Sequence, residues 1–193
     1  MLGHGWQSHW ARVHRRLGDV RAVYAGREGG TDDAVDTVLS FFEAVHHLKD
    51  WLGNDQLSGV TKADGDSLID RSKMLRLCAD LANGSKHLVL TGSRTGDKST
   101  TIARNDVNIS AGTGTVAHRF YVQSAGRGYD VLEIAEAAVA EWAKFLAGQG
   151  PRVIRIAEAT VTGWTKFLTD KETPLSAVLG NNPGTRQSRE LRF

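Results

Sequence analysis

Apolar residues recur at helical spacing along most of the chain. Trp10, Val13, Leu17, Val20 and Tyr24 are separated by steps of three and four, which places them on one helical stripe with the arginines largely on other faces. Gly26 and Gly29-Gly30 end this first helix. Thr31 offers an N-cap for the next, and Asp32 and Asp33 put negative charge where the helix dipole favours it. The second helix runs through Val35, Val38, Leu39, Phe42, Val45, Leu48 and Leu52 and stops near Gly53-Asn54. It is the longest and most apolar, so it is expected at the centre of the core. Asp55 to Asp66 is polar, contains Gly59 and Gly65, and reads as a loop. Asp66 or Ser67 then caps a third helix through Leu68, Leu75, Cys78 and Ala82, which either ends at Asn83-Gly84 or continues to His87.

The helical period vanishes between Leu88 and Gly128. Residues 99–104, 107–110 and 118–124 are rich in Thr, Val, Ile, Phe and Tyr and read as short strands of a hairpin or small meander, with Gly126-Arg127-Gly128 as a turn. Asp130 and Glu133 then form an acidic version of the capping box ahead of a fourth helix through Ile134, Ala138, Trp142 and Phe145. Twenty-two residues on, the segment 131–146 reappears as 153–168 with ten of sixteen positions identical, the rare Trp included. Two copies are too few for a solenoid and read as one duplicated helix. Gly148 to Pro151 breaks between them. Thr160, Thr162, Gly163 and Thr165 weaken the second copy's helix propensity.

The fold expected is mainly α. An up-and-down helical bundle carries a small antiparallel β insert (about 88–125) before its last core helix, within a domain of residues 1–150. The duplicated accessory helix at 151–172 and a flexible basic tail at 173–193 follow it.

Composition refines this only slightly. A chain of 193 residues with 40% hydrophobic and 24% charged residues supports one buried core. The net charge of +2 is unevenly spread: Arg12, Arg15, Arg16, Arg21 and Arg27 crowd the first thirty residues, and residues 31–80 are acidic. Basic ends suit either solubility or contact with nucleic acid. The lone Cys78 excludes an internal disulfide and reads as a small buried hydrophobe. No stretch suits a membrane span or a secretion signal, so a cytoplasmic protein without membrane contact is expected.

Common catalytic motifs are missing. Gly112-Thr113-Gly114 lacks the Lys or third Gly of a phosphate loop, and there is no Gly-x-Ser-x-Gly elbow. Glu43 and His46 have the Glu-x-x-His spacing of bundle metal sites, but such a site needs a second copy, and the sequence has no other. No metal and no cofactor are therefore expected. The third helix offers more: Arg76, Asp80, Asn83 and His87 follow at steps of four, three and four and share one face if the helix continues. Such a stripe is either solvated surface or a constellation of imidazole, cation and amide able to move protons and hold an oxyanion.

Two long helices, a third ending Asn83-Gly84-Ser85-Lys86-His87, a strand-rich insert and a closing helix resemble the HEPN superfamily of helical nucleotide-binding domains. The segments 41–51 and 78–88 look like uncharacterised bacterial proteins of that kind. The resemblance covers roughly residues 6–147. It implies a homodimer and, in active members, a metal-independent RNase motif of Arg, a polar residue and a following His. Asn83 and His87 match the last two; Ala82 stands where the arginine belongs, leaving Arg76 or Lys86 as displaced cations. The reading that follows is a HEPN-like module that dimerises and binds RNA, a nucleotide or a protein partner. The alternatives are an RNase of a toxin or phage-defence system using His87, and a purely structural helical protein.

Overall fold

Helix α1 (Gly5–Ala25) buries Trp6, Trp10, Val13, Leu17, Val20 and Val23 on the stripe its spacing specifies. In the computed structural model, which describes residues 5–85, 92–110 and 114–149, five helices and one small sheet follow in the order α1, α2 (Thr31–Asn54), α3 (Lys62–Arg71), α4 (Lys73–Gly84), β1 (Thr101–Ser110), β2 (Thr115–Ser124), β3 (Arg127–Asp130) and α5 (Val131–Ala147). α2 is central: it packs against α1, α3, α4 and α5 and buries Phe41, Phe42, Val45, Leu48 and Leu52 completely. Trp142 from α5 and Phe120 from β2 close the same cluster. Gly30, not Thr31, is the N-cap of α2, and its backbone N–H donates to Asp33 across 3.4 Å.

The third helix of the sequence reading is two helices. α3 begins within the segment read as a loop, capped by Thr61, whose hydroxyl and backbone N–H both bond to Asp64. It ends at Arg71, and Ser72 starts α4 by accepting from the Leu75 N–H at 3.3 Å. Apolar residues on both sides of Ser72 hide the break, because each short helix has its own buried stripe. Gly65 is a helix contact and not a loop glycine. A Cβ there would lie 2.7 Å from the Cβ of Lys49, so its lack of a side chain lets α3 lie close on α2.

The sheet is antiparallel in the order β1-β2-β3. One long β1 replaces the two short strands expected, with a bulge between Ile102 and Arg104. The turn expected at residues 126–128 is also displaced: Ala125 and Gly126, both left-handed, turn the chain, and Arg127 already pairs with Ser124. Tyr24 ties three elements together. Its hydroxyl donates to the Phe120 carbonyl at 3.1 Å and accepts from the N–H groups of Phe120 and Leu132, each at 3.2 Å. Burial and then the nearby Asp130 push its pKa up. Asp130 caps α5 as its sequence position predicts. The duplicated helix at 151–172 and the tail lie outside the described residues. Among the described residues, no helix is long and apolar enough to cross a membrane.

Candidate functional site

The face predicted on the third helix is distributed unevenly on α4. Asp80 is fully buried. Its Oδ2 accepts from the Ser93 hydroxyl (2.6 Å), the Thr95 hydroxyl (2.6 Å) and the Thr95 N–H (2.9 Å), and its Oδ1 accepts from the Arg94 N–H (2.6 Å). The carboxylate therefore fastens residues 93–95, ahead of the sheet. Arg76, one turn earlier, is half-buried, with its Nε enclosed and unpartnered among the described residues. Asn83 is also half-buried. No hydrogen bond or ion pair joins these three side chains to one another among the described residues. His87 and Lys86 lie outside the described residues, so the fourth member of the face is not placed.

A charged seam runs beside Asp80. Arg94 pairs with Asp70 (2.6 Å) and Asp66 (2.8 Å), and Asp66 also accepts from Lys49 (2.8 Å), whose chain is almost wholly buried. Partial burial works against the charges, but the bonds from Lys49 and Arg94 outweigh it and hold the Asp66 carboxyl below its ordinary range. The network closes α2, α3 and the loop over one another, and each charge in it has a partner. His46, on the adjacent turn of α2, is buried with Nδ1 unpartnered; desolvation, then Lys49, lowers its pKa to about 4. Glu43 accepts from the Ser85 hydroxyl at 2.7 Å. No cluster of His, Cys, Asp and Glu among the described residues could hold a metal ion.

A second region was not singled out in the sequence. His9 of α1 stacks on Trp51 of α2, with ring centroids 5.0 Å apart and planes within 15°. Its Nε2 bonds to the Ala44 carbonyl at 2.7 Å, and burial lowers its pKa to about 4. Neutral His9 is thus a packing element that holds the half-exposed indole in place. The Arg12 guanidinium lies 5.9 Å from the Trp51 ring centroid, and Arg15 and Arg16 follow on the same helix. Arg15 loses some basicity to burial and then to Arg12 and Arg16, and Arg16 pairs with Asp19 at 3.2 Å. Beside Trp51 opens a groove of about 880 Å³, lined also by Trp6, Asp50, Asn54, Gln56 and Leu57. Its carboxylates are engaged: Asp50 faces Lys62 at 3.3 Å, and Asp55 accepts from the Trp6 and Leu57 N–H groups. The sequence signal was present in the basic first helix and in Trp51, but only the packing of α1 on α2 joins them.

The region offers the Arg12 guanidinium beside an aromatic face held by stacking, with polar groups along a shallow groove, whereas the carboxylate on α4 is engaged by the loop. No family model, curated protein or solved structure matches the chain.

Proposed function

We propose that the chain is a HEPN-like helical module, built as an up-and-down bundle, that forms a homodimer and binds single-stranded RNA along α1. The carrying observation is the Arg12 guanidinium beside the half-exposed Trp51, on a helix that also carries Arg15 and Arg16. Guanidinium groups neutralise phosphates without regard to sequence, and an indole face gives a base somewhere to stack. The engagement of Asp80 by the loop favours a binding module over an RNase centred on α4.

The test is fluorescence anisotropy with a labelled single-stranded RNA over a salt series. Binding is expected to weaken linearly in log–log form as salt rises. Arg12→Glu with Arg15→Glu is expected to abolish it, and Trp51→Ala to weaken it by about 1–3 kcal/mol. Binding that is indifferent to all three substitutions overturns the assignment. The same RNA, incubated without added metal beside His87→Ala, separates the RNase alternative: cleavage by the wild type that the substitution removes would make the module an enzyme.

A further inference from the structure

α5 lies in a seat made by α1, α2, α4 and the sheet, and seven of its residues are buried there. Six of the seven recur in the second copy of its sequence, whose residues lie outside the described ones. Val131, Ile134, Ala135, Val139, Trp142 and Leu146 have Val153, Ile156, Ala157, Val161, Trp164 and Leu168 as counterparts, at unchanged spacing. Ala138 alone differs, becoming Thr160. Two retained positions outside the buried face also make contacts. Glu136 is exposed, yet it accepts from Arg21 of α1 at 3.0 and 2.8 Å, and it is kept as Glu158. Phe145 packs edge-on against Trp142, with ring centroids 5.8 Å apart, and it is kept as Phe167. Ala137 and Lys144 complete the ten identities, and the half-buried Leu132 changes only to Ile154. The other replaced positions, Glu133, Ala140, Glu141 and Ala143, are all exposed on α5. A helix meant for any apolar surface needs only the stripe. The retained Glu158 matches one seat in particular, the one that Arg21 borders.

We infer that residues 153–168 are a second occupant of the α5 seat, able to replace α5 within the same chain. In the exchanged state Trp164 lies against Gly65, where Trp142 now comes within 3.7 Å of the place a Cβ would take. Glu158 then meets Arg21, and Asp130 caps the copy as it now caps α5. Residues 131–152 form a closed loop, and closing a loop of that length costs little more than closing a shorter one. α5 remains the preferred occupant for three reasons. Asp130 directly precedes it, whereas Arg152 stands at the equivalent position before the copy. Thr160 brings a hydroxyl into the fully buried place of Ala138. Thr162, Gly163 and Thr165 form helix less readily than the residues they replace. The exchange lets α5 leave the bundle without opening its core.

The test is a set of thermal melts on the full chain. Ile134→Asp with Trp142→Asp unseats α5, and a cooperative transition is expected to persist at a lower midpoint because the copy fills the seat. Adding Trp164→Asp to that protein is expected to abolish the transition. Trp164→Asp alone is expected to leave the midpoint unchanged, since α5 then holds the seat. Deletion of residues 131–152, which joins Asp130 to Val153, tests the fit with no displaced α5 present. That shorter chain is expected to melt cooperatively and to keep the near-ultraviolet circular dichroism of enclosed tryptophans. Absence of a cooperative transition in both the doubly substituted chain and the deletion overturns the inference. A transition in the doubly substituted chain that survives Trp164→Asp overturns it too, because the copy is then not what fills the seat. So does a midpoint that falls as far with Trp164→Asp alone as with the two α5 substitutions, which would give the copy a place of its own in the core.

Discussion

Among the described residues, the Asp80 carboxylate accepts four hydrogen bonds, from Ser93, Arg94 and Thr95. Replacing it by Ala leaves the Arg94 and Thr95 backbone N–H groups without their acceptor in a half-buried loop and turns the Ser93 and Thr95 hydroxyls to weaker partners such as the Asp97 carbonyl. Asp80→Ala is therefore expected to lower stability by roughly 2–4 kcal/mol, read as a fall in the denaturant midpoint. A variant that melts like the wild type would mean that the carboxylate is not the anchor of the loop. The buried histidines make a prediction of pH dependence. His9 and His46 have folded pKa values near 4, against an ordinary 6.5, because burial disfavours their charged forms. The unfolded chain binds their protons first, so stability is fully present above pH 6.5 and is lost as pH falls from there through 4. Each contributes up to about 3 kcal/mol to that loss. His9→Gln with His46→Gln should flatten the acid limb of a stability–pH curve; an unchanged limb would assign it to other groups.

At the scale of elements, the contact of α3 on α2 depends on Gly65. Ala is the better helix former by about 1 kcal/mol. Its methyl group would however overlap the Lys49 Cβ at 2.7 Å, and overpacking of that kind costs roughly 1–3 kcal/mol. Displacing α3 also strains the Lys49–Asp66 pair that spans the two helices. The net expectation for Gly65→Ala is a lower melting temperature, and a higher one would show that α3 shifts freely. The division of α3 from α4 has a comparable local cause. Ser72 serves as C-cap of one helix and N-cap of the next, accepting from the Leu75 N–H while its own N–H bonds back to Leu68 and Ile69. A single serine between apolar stripes is compatible with a continuous helix, so periodicity alone reads through it.

At the scale of the whole molecule, the buried cluster among the described residues is assembled between Trp6 and Leu146. Because the described cluster already joins all five helices and the sheet, truncation after Gly150 is expected to leave a cooperatively folding domain, checked by a thermal melt; loss of the transition would place residues 151–172 in the core. Much of this architecture follows from the sequence by itself. The stripes of α1, α2 and α5, the capping of α5 by Asp130 and the strand-rich insert are local patterns, set by period, propensity and side-chain caps over a few neighbouring residues. Tertiary structure decided everything that depends on what lies across from a residue. Asp80 and Asn83 look alike as polar positions on a helical face until the returning loop buries one beneath Ser93 and Thr95. Gly65 is a loop signal until α2 comes within van der Waals distance. Arg12 and Trp51 are thirty-nine positions apart and become one surface only where α1 crosses α2. Burial, pairing and shared surfaces are properties of through-space neighbours, which a linear pattern of apolar and polar positions constrains but does not select.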